Sequence, residues 1–171
     1  MFSTWRGNHL VYPAASTVAV PHEDMPDDVV LLYNEARAVV GVSRRAGAAM
    51  ARSTLEVLLR QVLPDATSRL RLVDLIDLAD AKVSSGLGDL LTYVRHVGNS
   101  AVHVDEVPDD TTVLVLDRST TEAVDAIFTA INGVVDEFVT KPKQTARFAA
   151  LIPESVQKDV DARRAKRDQH Q

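Results

Sequence analysis

Residues 43–62 read SRRAGAAMARSTLEVLLRQV, and this stretch decides the fold. Gly47, Ala51, Leu55, Leu58 and Val62 recur at spacings of three and four, which places them on one face of a helix. Ala46, Met50, Val57 and Leu59 widen that face. A helix apolar over so much of its circumference needs neighbours on several sides, so it belongs at the centre of a helical bundle. Ser43 supplies a side-chain oxygen for the unpaired N–H groups of the first turn, and Pro64 ends the helix.

Outward from this centre, the same periodicity predicts four more helices. One starts at Pro26, with Asp24 as its cap, and runs through Val29, Tyr33, Ala36 and Val40 to Gly41. A second spans Ser68 to Lys82, with Leu70, Leu75, Ile76 and Ala79 facing inward. After a turn at Ser84-Ser85-Gly86, a third carries Leu87, Leu91, Val94 and Gly98 on its apolar face. Gly98 costs a helix interior about 1 kcal/mol against Ala, which close approach of another backbone would offset. Residues 104–118 are expected to form an acidic loop, with a short extended segment over Thr111–Leu116 because Thr-Thr-Val-Leu-Val-Leu is β-prone. The last main helix then starts at Ser119 or Thr120 with a capping-box pattern, buries Val124, Ile127, Ile131, Val134 and Phe138, and stops at Pro142. A tail helix over Pro153–Arg167 follows. The expected organisation is an irregular segment over 1–25, a helical domain over 26–140 and an extension over 141–171, with Trp5 and Tyr12 tucked onto the domain. The fold class is all-α, a bundle of four to five helices.

Composition bounds the function. The chain has 171 residues, is 46% hydrophobic and only 5% aromatic, and carries a formal charge of −5. A negative balance argues against a general nucleic-acid binder, which ordinarily presents a basic surface. The absence of cysteine removes disulfides, thiolate zinc sites and cysteine nucleophiles. No run of 18 apolar residues exists and no secretory signal is visible, so the expectation is a cytoplasmic protein without a membrane partner. No Gly-rich phosphate loop or Gly-x-Ser-x-Gly elbow is present, and no cofactor or metal is implied. His9 and His22, near Glu23 and Asp24, read as exposed loop residues rather than metal ligands.

The chemistry-bearing stretch is Tyr93-Val94-Arg95-His96-Val97-Gly98-Asn99-Ser100-Ala101-Val102-His103. On a continuous helix Arg95, Asn99 and His103 lie at i, i+4 and i+8, along one face. A cation, an amide and an imidazole in line can grip and attack a phosphate. The same three groups can equally form a buried polar knot that fixes helix packing, with Arg95 paired to Glu56. Arg52 and Glu56, at i and i+4, read as a helix-surface pair or as part of that polar network.

Three motifs in order carry a family resemblance: Pro26 followed by Tyr33-Asn34-Glu35-Ala36, then Arg52-Ser53-Thr54-Leu55-Glu56, then Arg95-His96-Val97-Gly98-Asn99 continuing to His103. Together they resemble the bacterial family called domain of unknown function 4145, over about residues 20–140. That family is similar to the HEPN class of helical domains. The resemblance implies a HEPN-like bundle, a symmetric homodimer, and a place in a bacterial or phage-borne nucleic-acid-linked or defence system, with a protein partner from that system. It also implies an alternative activity, since several HEPN members are metal-independent endoribonucleases that act on RNA as dimers. In that reading His103 is the general acid or base, Arg95 stabilises charge on phosphorus, Asn99 orients the imidazole or donates to phosphate, and His96 holds substrate. The sequence departs from the pattern in three places. Seven residues separate Arg95 from His103, Asp105 stands where some relatives have Tyr, and the Cys-rich zinc ribbon of many relatives is missing.

Overall fold

The computed structural model describes residues Thr4–Arg6, His9–Tyr12, 18–100 and 110–168, with side-chain surroundings for 18–96, 122–160 and 163. Seven α-helices follow a short β-hairpin: α1 (Asp27–Val40), α2 (Arg44–Val62), α3 (Leu72–Asp80), α4 (Ser85–Ser100), α5 (Asp110–Val135), α6 (Lys141–Ala149) and α7 (Glu154–Asp168). The all-α class and the bundle are as the periodicity requires. The first 25 residues are not wholly irregular, however. β1 (Thr4–Arg6) and β2 (His9–Tyr12) pair antiparallel, with a register irregularity between Thr4 and Trp5. The side chains of Trp5 and Tyr12 lie outside the described residues.

α2 packs against α1, α3 and α5, so the helix with the widest apolar surface is the hub. Ala51, Leu55, Leu58 and Leu59 are wholly buried along it. The Ser43 hydroxyl accepts the Ala46 N–H at 3.3 Å, the expected cap. Gly47 allows α1 and α2 to touch: a Cβ there would stand 2.9 Å from both the Cα and the N of Val40. The corresponding surroundings of Gly98, the other expected close approach, lie outside the described residues. α4 and α5 complete the core with Leu91, Val94, Phe128 and Ile131, and the Phe128 ring meets Tyr33 edge-on at 4.8 Å.

Four boundaries differ from the sequence expectation, each for a physical reason. Asp24 does not cap α1. Pro26 holds the cap position without a side-chain bond, while the Asp24 carboxylate accepts from the Thr140 hydroxyl at 2.7 Å and from Lys143 at 2.9 Å. α3 is shorter than Ser68–Lys82, because the backbone before it turns to meet Arg60, whose guanidinium donates to the carbonyls of Thr67 (2.7 Å) and Leu70 (2.6 Å). No strand forms over Thr111–Leu116. α5 already begins at Asp110, so the β-branched residues are helical, their intrinsic cost of a few tenths of a kcal/mol each being too small to stop a long helix. Pro142 does not end the helix either. The chain widens into one π-helical turn, Asp136–Thr140, and continues into α6 with Pro142 in the first turn. There its missing N–H falls on the wide turn rather than breaking a regular ladder.

Residues 18–25 form a strap across α1 and α5. Asn132 of α5 accepts the His22 N–H at 3.0 Å and donates to the Val20 carbonyl at 3.0 Å. The buried Tyr33 hydroxyl donates to the Ala19 carbonyl at 3.0 Å, and Arg37 Nε donates to the Val18 carbonyl at 3.3 Å. Burial pushes the Tyr33 phenol up to about 12, with the Asn132 hydrogen bond working against that shift.

Candidate functional site

α2, α3 and α4 position the polar residues singled out by the sequence. Arg52 projects from α2 towards α4. Its Nη1 donates to the Val94 carbonyl at 3.0 Å, and burial lowers the guanidinium pKa against the opposing attraction of Glu56. Arg52 therefore ties the hub helix to the backbone immediately before Arg95. Glu56, one turn further on, is bonded to Arg60. Arg60 in turn holds the α2–α3 connection, so Glu56 orients a structural clamp.

Arg95 is on the outside of α4. Its Nη1 meets Asp77 Oδ1 of α3 at 2.6 Å, with both side chains substantially exposed, at 44% and 62%. The buried Arg95–Glu56 pair that a sealed polar knot requires does not form: Glu56 belongs to Arg60, and Arg95 faces solvent. An exposed pair of this kind contributes about 0–1 kcal/mol, so Arg95 is not a structural keystone. His96, the next residue, is also exposed. Asn99 shares the face of Arg95 by its i+4 position on α4, but its side-chain surroundings lie outside the described residues, as does the whole of His103.

The ground next to Arg95 is rich in paired charges. An open concavity of about 470 Å³ is lined by Asp65, Thr67, Leu70, Asp74, Asp77 and Leu78. Lys82 bonds Asp65 at 2.7 Å, and Arg71 approaches Asp74 at 3.6 Å. Each carboxylate of this wall is matched by a cation, Asp65 by Lys82, Asp74 by Arg71 and Asp77 by Arg95, so Arg95 is not left as an unpaired positive charge for an anion. Among the described residues, no three His, Asp or Glu side chains gather as a metal site. His22 Nδ1 accepts the Asp24 N–H at 3.1 Å, which commits that nitrogen to the strap.

Asp77 and Arg60 were not singled out by the sequence. Apart from Glu56, four positions before Arg60 on the same helix, the partners lie far off: Asp77 is 18 positions before Arg95, and the carbonyls that Arg60 holds are seven and ten positions after it. Neither distance leaves a local pattern. Asp74 was more accessible to inspection, since its carboxylate accepts the Arg71 N–H at 2.8 Å in a capping arrangement three residues long.

No protein-family model, no curated protein and no solved structure matches this chain. The likeness to the family named above is carried by the quoted motifs alone.

Proposed function

We propose that this chain is a HEPN-like helical interaction module, acting through protein partners within a bacterial or phage-borne defence or nucleic-acid-linked system. The observation that carries this reading is the state of Arg95. Its guanidinium is already bonded to Asp77, so a polyanion would have to displace a carboxylate to reach it, on a chain whose net charge of −5 disfavours polyanion binding. The test is binding and cleavage of single-stranded RNA by the purified protein at physiological salt. No saturable binding and no turnover are expected, and a His103→Ala protein should behave identically.

One observation favours a second reading, a metal-independent endoribonuclease. Arg95 and His96 are exposed together on α4 instead of sealed in the core. In that reading Asp77 holds Arg95 until substrate displaces it, Arg95 and Asn99 grip phosphate, and His103 transfers the proton of the attacking 2′-hydroxyl. Cleavage that survives EDTA, leaves cyclic-phosphate ends and falls at least about 100-fold in well-folded His103→Ala, the scale of losing a general acid or base, would establish it in place of the first.

A further inference from the structure

Two surfaces of this chain are complementary, and within it they touch at their edge, through the Asp24–Lys143 ion pair. The first is the run Lys141–Ile152, KPKQTARFAALI, with three cations and no acid. Every residue from 141 to 160 is exposed. Phe148, Leu151 and Ile152 stand 66%, 72% and 44% open to solvent, and Val156 and Val160 continue the apolar line into α7. α6 packs on the π-helical turn it grows from and reaches the strap through Lys143. Helices of nine and fifteen residues are marginal in water without a face to bury, so this arm calls for a cover.

The second surface is the outer face of α1. Leu31 and Leu32 are exposed there, flanked one turn away on either side by Asp27, Asp28 and Glu35. Residues 18–36 contain five carboxylates and no Lys or Arg. One of the five, Asp24, already bonds Lys143 of the arm at 2.9 Å. The acidic, leucine-bearing helix and the basic, phenylalanine- and leucine-bearing arm therefore match in both charge and apolarity.

We propose that the arm α6–α7 of one copy docks on the outer face of α1 of a second copy, and reciprocally, closing a two-fold dimer. Because the docking is reciprocal, both halves of both chains are used, so the pairing is saturated at two copies and leaves no open end. Arg147 lies beside Phe148 and faces the carboxylates of the partner's α1, with Glu35 the nearest in sequence to the exposed leucines. This proposal rests on reading the chain as an interaction module and identifies one of its partners as itself.

The chain has no cysteine, which allows a clean test. Leu31→Cys and Phe148→Cys are made as two separate full-length proteins, mixed, and treated with a short bismaleimide. The expected result is a covalent mixed dimer, several-fold more abundant in the mixture than the self-dimer of either protein alone. Sedimentation equilibrium on Arg147→Glu and on Glu35→Arg should show each weakened to monomer where the unaltered chain is dimeric, with the dimer recovered when both changes are in one chain. Both positions are exposed, so the fold should be kept, which circular dichroism on each variant checks. A monomeric unaltered chain, single variants that remain dimeric, a combination no better than either single change, or a Phe148→Cys self-dimer in place of the mixed one would each overturn the pairing. So would a chain carrying both cysteines that links only within itself. The RNA experiment above is independent of these outcomes: a monomer without RNase activity removes this dimer and leaves the module with a different partner, whereas His103-dependent cleavage removes the module reading itself.

Discussion

A single buried hydroxyl illustrates what individual residues contribute. Tyr33 is enclosed by α5 and the strap, and its O–H bonds the Ala19 carbonyl. Its apolar role was legible, because position 33 falls on the buried face of α1. Its polar role was not, because Asn132 is 99 positions away. Removal of the hydroxyl in Tyr33→Phe strands that carbonyl, with an expected loss of about 1–2 kcal/mol by urea denaturation. The same group gives an alkaline signature. Its folded pKa is raised, from 10.0 to about 12, so its contribution is whole below pH 10 and is lost as pH climbs towards 12, by roughly 2–3 kcal/mol at 1.36 kcal/mol per unit. Tyr33→Phe should lack that fall when the two proteins are compared across the same range. Gly47 makes the opposite point, that the absence of a side chain can be required. A Cβ there meets the Val40 backbone at 2.9 Å. Gly47→Ala should therefore lower the melting temperature, by a strain of about 1–3 kcal/mol that outweighs the roughly 1 kcal/mol gained in helix propensity. A rise in melting temperature would show that α1 and α2 have room to part.

Among the elements, those whose boundaries are set locally were readable and those set by distant partners were not. α2 starts at a serine cap and stops before Pro64, both visible in a few residues. α3 starts late because Arg60, on the preceding helix, captures the backbone at Thr67 and Leu70. α5 overruns a β-prone hexamer because propensity differences are small beside the cooperativity of a long helix. Pro142 fails to stop the chain because a π-helical turn accommodates it. The Arg60 clamp is open to direct measurement. Arg60→Met keeps much of the side-chain volume but frees two carbonyls and leaves Glu56 without its partner. The expected cost is about 1.5–3 kcal/mol, the scale of hydrogen bonds to a charged group. Amide exchange should accelerate selectively over residues 63–71, ahead of global unfolding. Uniform acceleration across α1, α2 and α5 would place the clamp in the core rather than at the connection. The candidate site was only half legible for the same reason. The i, i+4 spacing of Arg95 and Asn99 is local, whereas the carboxylate that engages Arg95 is on another helix.

Across the whole molecule, the bundle is closed by two carboxylates that join parts far apart in sequence, and both predict how it fails in acid. Asp24 links the strap to Thr140 and Lys143, 116 and 119 positions later. Those two hydrogen bonds, Lys143 first, hold its pKa below the ordinary 3.8. Glu137, on the π-helical turn, accepts the Ser84 N–H at 2.9 Å and bonds the Ser84 hydroxyl immediately before α4. Burial works to raise the Glu137 pKa, but the Ser84 bonds and Lys141 together bring it below 4.5. This position at a helix N-terminus also favours negative charge. Both groups thus bind protons more weakly when folded than when unfolded. Stability should be flat above pH 4.5 and should fall as pH drops through the lowered folded values, because the unfolded chain then takes up protons that the native chain refuses. Tyr33 plays no part in this window. Urea denaturation at a series of pH values tests it with Lys143→Met and Ser84→Ala combined. That protein should be less stable than the unaltered chain at pH 7, should lose less on acidification, and should converge with it once both carboxylates are protonated. Parallel curves separated by a constant offset would show that the two carboxylates carry no proton linkage, and that the acid limb belongs to the many exposed Asp and Glu side chains instead.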